Sequence, residues 1–168
     1  EKKYNQQYFE RIKEVIAERS GHNVLMGISD ENETYITFQM TYKEAINALE
    51  IAHIRKKECP VVWNEKIGYW KLLKDMSQQQ QCKEFVSKKI DALIQYDKEN
   101  ESDLIETLEA LVNHLGARNI TATSLYLHRN TLMYRIKKIE NLTGYDLSDP
   151  ESILELSLAL RLNKFMNH

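Results

Sequence analysis

The sequence predicts an α+β fold that is predominantly helical, with a small α/β part followed by an all-helical part. Only five Gly and two Pro occur among 168 residues, which is few for a turn-rich all-β sandwich. Two short apolar runs in the first half are bounded by turn residues, as buried strands are. Elsewhere the apolar residues recur at helical spacing. With 42% apolar and 29% charged residues, the chain has the composition of a globular protein.

The N-terminal elements are expected in the order helix, strand, helix, strand. Apolar residues at helical spacing predict a first helix over residues 4–19, and the apolar runs predict strands over residues 24–29 and 60–64. The helix between them is expected to begin between Thr34 and Thr41, and Thr41 with Glu44 fits a capping box. Its apolar positions are Phe38, Ala45, Ile46, Leu49, Ala52 and Ile54. This order predicts a small α/β unit with a sheet.

Only helices are predicted after the second strand. A glutamine run over residues 78–81 is the one low-complexity stretch, and it places a domain boundary between residues 1–77 and 78–168. Ser102, Gly116, Gly144 and the pair Asp149-Pro150 are typical start and stop signals. The predicted helices cover residues 68–76, 83–95, 102–115, 119–127, 129–142 and 150–165. The last of these is apolar on nearly all sides, so it is either the central core helix, the interpretation that we favour, or in part a dimer contact.

Charge is unevenly distributed along the chain. The formal net charge of −2 argues against a chain that binds nucleic acid over its whole surface. Residues 118–139, however, contain five Arg or Lys residues and no Asp or Glu, whereas acidic residues dominate both flanks. A solvated charged face is the ordinary explanation of such a run. The alternative is a local basic surface for DNA.

The residues of this basic run predict two short helices joined by a tight turn. Ala122 is small where two helices would cross closely, and Leu125 and Leu127 are expected to face inward. Leu132, Ile136 and Ile139 recur at i, i+4 and i+7 and form the inner stripe of the second helix. Polar and basic side chains remain for its outer face.

The outer side chains suit the major groove of DNA. Arg129 and Asn130 lie in the first turn, where Arg pairs with guanine and Asn with adenine. Thr131, Tyr134, Lys137 and Lys138 suit phosphate oxygens, as do the free backbone N–H groups near Asn119. His128 is assigned a capping or backbone-positioning role. The complete predicted DNA-binding set is Asn119, Thr121, His128, Arg129, Asn130, Thr131, Met133, Tyr134, Arg135, Lys137 and Lys138.

Residues 82–162 resemble the C-terminal helix-turn-helix domain of the PucR family of bacterial transcription regulators. The resemblance is carried by residues 103–108, 121–122, 125–132, 134–136, 139–144, 149–150 and 158–162, above all by the string His128-Arg129-Asn130-Thr131-Leu132 followed by Tyr134-Arg135. Two positions depart from the pattern. Met133 stands where the family often has a basic residue, and Tyr126 replaces the glycine of a generic helix-turn-helix turn.

The resemblance implies a sequence-specific transcription regulator that binds double-stranded DNA, with a recognition helix over about residues 129–142. The full-length protein is expected to be a homodimer. The resemblance also implies that a small-molecule effector is sensed by a domain absent from this chain. Residues 24–65 are similar to the second half of the degenerate GGDEF-like domain of carbohydrate-diacid regulators. The chain lacks the Gly-Gly-Asp/Glu-Glu-Phe catalytic loop, so no nucleotide cyclase activity is expected.

Neither an enzyme nor a metalloprotein is expected. Cys59 and Cys82 form no metal-ligand or disulfide pattern, and Glu50, His53 and Glu58 read as surface charges. A lone His128 in a helix-helix turn is more often a cap than a catalytic base. No cofactor is expected. The absence of long apolar runs and of a signal sequence predicts a cytoplasmic protein without membrane segments. The alternative function is a helical protein-interaction module that does not bind DNA.

Overall fold

The computed structural model describes residues 6–30, 38–55 and 60–167. The chain divides into two compact units, Glu1–Leu73 and Lys74–His168. The domain boundary predicted from the glutamine run lies close to this division. Within the described ranges, none of the helices combines the length and the apolar character that a membrane crossing requires.

The first unit contains the predicted alternation of helices and strands. Its elements are α1 (Gln6–Ser20), β1 (Met26–Ile28), α2 (Phe38–Ile54), β2 (Val61–Trp63), a 3₁₀ turn (Asn64–Lys66) and the start of α3 (Tyr69–Ser77). The strands are parallel, with Met26 opposite Val61 and Ile28 opposite Trp63. Helix α2 connects the strands and packs against both of them. The predicted α/β unit with a sheet is therefore confirmed.

Gly27 allows α2 to approach the sheet closely. A Cβ atom at this position would lie 2.3 Å from both the Ala45 carbonyl oxygen and the Leu49 backbone nitrogen. Any side chain there would have to push the helix backbone away from β1. The strand position therefore requires glycine.

Two details predicted for α2 are wrong. Thr41 lies inside the helix rather than at its N-cap, so it does not form the predicted capping box, and Thr34 lies outside the described residues. The fully buried positions are Ala48, Ile51 and Ala52, whereas Phe38 and Leu49 are 75% and 37% exposed. At Gly27 the sheet meets the backbone of α2 at Ala45 and Leu49, so the Leu49 backbone lies against β1 although its side chain is exposed.

The second unit is helical throughout its described residues. It contains α4 (Gln80–Asn100), α5 (Leu104–Asn113), α6 (Arg118–Ser124), α7 (Arg129–Thr143) and α8 (Pro150–Met166). Helix α8 packs against α4 and α5 and buries Leu156, Ala159, Leu160 and Leu162 almost completely. The prediction of a central core helix is confirmed.

Most predicted helix signals are present, but one is replaced. Gly144 ends α7 with a φ of 75°, and the Asp149 carboxylate caps α8 by accepting the Ser152 N–H at 2.8 Å. Ser102, in contrast, does not cap α5. The Asp97 carboxylate instead accepts the N–H groups of Leu104 and Ile105 at 2.9 and 2.8 Å. A side chain at the end of α4 therefore caps the helix that follows it.

Candidate nucleic-acid interface

A tight turn joins α6 to α7. Ala122 is buried beneath it, and the Ala122 carbonyl accepts the Leu127 N–H at 2.9 Å. Tyr126 occupies the left-handed conformation with a φ of 54°, which is the conformation that favours glycine. Its side chain is 97% exposed. Leu125 and Leu127, which were expected to face inward, are only half-buried.

His128 caps the N-terminus of α7. Its backbone is extended, and its Nδ1 accepts the Asn130 N–H at 3.2 Å. The hydrogen bond satisfies one of the N–H groups that a helix start leaves without a partner inside the helix. The predicted capping role of His128 is confirmed. The cap also holds the first turn, with Arg129 and Asn130, at the surface.

The inner face of α7 anchors it in the second unit. Leu132, Ile136 and Ile139 are each at most 1% exposed, as their spacing predicts. The helix packs against α4, α5 and α6. Its opposite face therefore points to solvent with a defined set of side chains.

Seven of the predicted DNA-binding residues are exposed. Asn130, Tyr134 and Lys137 follow one another at i, i+4 and i+7, so they lie along one stripe of α7. Tyr134 is 67% exposed although it is aromatic. The exposed members of the set are Asn119, His128, Arg129, Asn130, Thr131, Tyr134 and Lys137. We call this surface the outer face of the helix-turn-helix.

Thr121 does not belong to the outer face. Its side chain is fully buried, and its hydroxyl donates to the Ala117 carbonyl at 2.9 Å. The predicted DNA contact of Thr121 is therefore corrected to a packing role. Helical spacing placed it beside polar neighbours, but α6 turns this position toward the core.

Arg135 points toward α5. Its guanidinium donates to the Thr107 hydroxyl at 3.0 Å and to the Asp103 carboxylate at 3.1 Å. The side chain is 23% exposed. It therefore differs from the other basic residues of α7, because both guanidinium NH₂ groups are already engaged within the domain.

Met133 and Lys138 are half-buried. The Met133 sulfur lies 3.9 Å from the guanidinium of Arg118, and the Lys138 ammonium lies 4.4 Å from the centre of the Tyr96 ring. Arg118 belongs to the basic run but not to the predicted DNA-binding set. It borders a cavity of about 540 Å³ together with Asn119, Arg129 and Met133. The sequence signal for it is its position in the basic run directly before Asn119.

No arrangement for metal chemistry occurs among the residues that the structure describes, since no three His, Cys, Asp or Glu side chains converge there. Cys82 is buried with a free thiol, whereas Cys59 and Glu58 fall outside the described residues. The outer face presents hydrogen-bonding side chains together with the cations of Arg129 and Lys137.

Comparisons with known proteins identify the second unit. Residues 104–162 match the family described as the PucR C-terminal helix-turn-helix domain. Over 142 residues the chain is 30% identical to the proline-responsive transcriptional activator PutR of Bacillus subtilis, covering 84% of this chain and 34% of the relative. It is 28% identical over 160 residues to the purine catabolism regulatory protein of the same organism, covering 95% and 30%.

A third relative matches a shorter stretch of the chain. The carbohydrate diacid regulator of Escherichia coli is 39% identical over 66 residues, which cover 39% of this chain and 17% of the relative. The chain spans about a third of the length of the two Bacillus relatives. Residues 104–162, which match the family, contain α5 to α7 and most of α8, with the tight turn and the outer face. The C-terminal part of this chain therefore belongs to the PucR C-terminal helix-turn-helix family.

Proposed function

We propose that this chain is the DNA-binding part of a sequence-specific transcription regulator, with α7 as the helix that enters the major groove. The observation that carries the proposal is the outer face. The capped start of α7 exposes Arg129 and Asn130, and the exposed stripe continues from Asn130 to Tyr134 and Lys137. An α-helix fits the major groove, and the residues at its N-terminus reach base edges there. The names of the relatives, a transcriptional activator and two regulators, support this function.

We assign different tasks to the side chains of the outer face. Arg129 and Asn130 read bases, because their paired donors and acceptors match guanine and adenine edges. Thr131, Tyr134 and Lys137 bind phosphates, as do Asn119 and the partly buried Lys138. His128 acts through its cap rather than through a base. Met133 is close enough to Arg118 to help shape the surface between α6 and α7.

Partners outside this chain complete the proposal. A two-fold DNA site would be read by a homodimer whose recognition helices lie about 34 Å apart. The effector would be a small molecule, since one relative is named for its response to proline. We place its sensing in a region that this chain does not contain. Such a protein acts in the cytoplasm and is not an enzyme.

We further propose that the first unit is a remnant of a GGDEF-like domain that neither binds nucleotides nor catalyses a reaction. Its parallel strands connected by α2 are compatible with half of such a fold. The similarity to the purine catabolism regulatory protein extends over 95% of the chain, so it includes this unit. Calorimetric titration with GTP should produce no heat of binding. Measurable binding would contradict a unit without nucleotide function.

The test of the DNA-binding proposal compares base-reading with phosphate-binding residues. Arg129→Ala and Asn130→Ala should each cost about 1–3 kcal/mol at the preferred duplex and much less on random DNA. Lys137→Ala should weaken both duplexes similarly and lower the slope of log affinity against log salt by about one. Fluorescence anisotropy at several salt concentrations measures both effects. Equal losses on both duplexes for Arg129→Ala would contradict base reading.

A further inference from the structure

We propose that Arg135 is a positioning residue that fixes the recognition helix on α5 and does not itself contact DNA. The inference rests on the proposed function, because it concerns how the DNA-reading helix is held. It assigns to Arg135 a different role from that of Arg129 and Lys137 on the same helix.

The geometry around Arg135 is that of an anchor. One NH₂ group of its guanidinium donates to the Thr107 hydroxyl at 3.0 Å and lies 3.5 Å from the Asp103 carbonyl oxygen. The other NH₂ group donates to the Asp103 carboxylate at 3.1 Å. Thr107 is fully buried, and its hydroxyl donates to the Asp103 carbonyl at 2.6 Å. The Thr107 hydroxyl is therefore held in place by a hydrogen bond that does not involve Arg135.

The start of α5 is arranged so that Asp103 is available for Arg135. Asp103 occupies the N-cap position of α5 but makes no side-chain cap hydrogen bond. Asp97 caps the helix instead, by accepting the N–H groups of Leu104 and Ile105. Because this capping task is taken by a neighbouring helix, the Asp103 carboxylate can pair with α7. The contacts thus connect the end of α4, the start of α5 and the middle of α7.

Such an anchor fixes the rotation and tilt of α7, which apolar packing alone does not determine. Leu132, Ile136 and Ile139 keep α7 on the domain, but apolar contacts have little directional preference. Charge-assisted hydrogen bonds from a planar guanidinium to two acceptors do have such a preference. They restrict the rotation and tilt of α7, and hence where Arg129 and Asn130 meet the bases. A small displacement of these side chains lowers affinity for the preferred sequence more than affinity for random DNA.

Two roles of Arg135 predict opposite results when Asp103 is changed to alanine. If Arg135 binds a phosphate, Asp103 competes with that phosphate and repels it, so Asp103→Ala should tighten DNA binding. If Arg135 is an anchor, the same change releases α7 and weakens binding to the preferred duplex. Glu106→Ala is the matched control, because Glu106 is an exposed acid on the same helix. This substitution also removes one negative charge.

The experiment measures affinity for the preferred and the random duplex with the whole chain, well below its unfolding temperature. We expect Asp103→Ala to lower affinity for the preferred duplex about 3- to 30-fold and to lower the ratio of preferred to random binding. Glu106→Ala should leave this ratio unchanged. If Asp103→Ala tightens binding as much as Glu106→Ala or more, the proposal is overturned.

Arg135→Lys provides a second, independent measurement. Lysine keeps the charge but cannot donate from a planar fork to both Asp103 and Thr107. We therefore expect Arg135→Lys to reduce the preferred-to-random ratio nearly as much as Arg135→Ala does, with the salt slope unchanged in both variants. Retained affinity in Arg135→Lys, together with a slope lowered by about one in Arg135→Ala, would identify a phosphate contact.

A cycle of Asp103→Ala, Arg135→Ala and the double variant, measured by denaturant unfolding, separates the anchor from the proposed function. Coupling between the two positions is expected. Coupling without any selective DNA binding by the wild-type chain would overturn the DNA-binding proposal while keeping the α5–α7 anchor. Selective DNA binding without coupling would overturn the anchor alone.

Discussion

Tyr126 adopts a backbone conformation that few residues with a side chain adopt. Its φ of 54° lies in the left-handed region, where an L-residue costs about 1–2 kcal/mol relative to the right-handed conformation. Its side chain is 97% exposed and so gains little from burial. The turn that aims α7 therefore carries a local cost, and packing of α6 and α7 must offset it.

Tyr126→Gly should stabilise the chain by about 0.5–1 kcal/mol, because glycine adopts this conformation without steric penalty. Urea unfolding followed by circular dichroism measures the change. Gly144→Ala is the matched control. Gly144 has a φ of 75°, and a Cβ atom there would meet nothing within 4 Å, so alanine should destabilise through the backbone alone. A destabilised Tyr126→Gly variant would show that the tyrosine makes a contribution that exceeds the strain.

At the residue scale, apolar periodicity predicted only part of the candidate site. The i, i+4, i+7 pattern of Leu132, Ile136 and Ile139 predicted which face of α7 is buried, and the outer face followed from it. The pattern could not predict that Arg135, beside that stripe, would reach Asp103, 32 positions away in sequence. Nor could it show that Thr121 is turned inward, because the orientation of a seven-residue helix depends on its neighbours. Partners distant in sequence decide such roles.

At the scale of elements, the sequence predicted the helix ends that depend on neighbouring residues but not those that depend on another helix. Gly144 and Asp149-Pro150 act within one turn of their own helix, so the sequence was enough to predict them. The cap of α5 comes from Asp97 on another helix, and only the folded arrangement brings it there. Similarly, the apolar residues of α2 predicted a helix, but the residues that are buried where α2 packs in the first unit are Ala48, Ile51 and Ala52. Tertiary contacts explain both differences.

The cap of α8 should make stability depend on pH. Hydrogen bonds from the Ser152 side chain and then its backbone lower the pKa of Asp149 below its ordinary value. A lowered folded-state pKa means that the contribution is complete above the unfolded-state pKa of about 3.9 and is lost as pH falls through the folded value.

Asp149→Asn keeps a side-chain cap but removes this titration. The difference in unfolding free energy between wild type and Asp149→Asn should be constant from pH 5 to 8. Below about pH 4 the wild type should lose stability relative to Asp149→Asn. Thermal unfolding at a series of pH values provides the measurement. Parallel profiles down to pH 3 would contradict the role of the carboxylate.

Gly27→Ala should destabilise the first unit by about 1–3 kcal/mol, because the added Cβ meets the backbone of α2. Gly21→Ala is a suitable comparison, since Gly21 has an open surrounding and only a positive φ of 68°. Tryptophan fluorescence during denaturant unfolding should follow the first unit through Trp63 at the end of β2. If Gly27→Ala unfolds like wild type, α2 does not approach the sheet as closely as described.

For the whole molecule, the location of charge decides whether it binds DNA. The chain carries a net charge of −2, yet the outer face lies within a run of residues 118–139 that has five cations and no acid. Repulsion from the acidic remainder and attraction to this face act together. Binding should therefore be oriented, and it should weaken steeply as salt increases.

The most direct test of the central claim is selection of bound duplexes from a random library with the whole wild-type chain, followed by anisotropy on the selected sequence. We predict an enriched motif, bound more tightly than random DNA at two salt concentrations, and a palindromic motif if two copies bind together. The absence of both an enriched motif and any salt-dependent binding would contradict a DNA-reading function and favour a helical protein-interaction module.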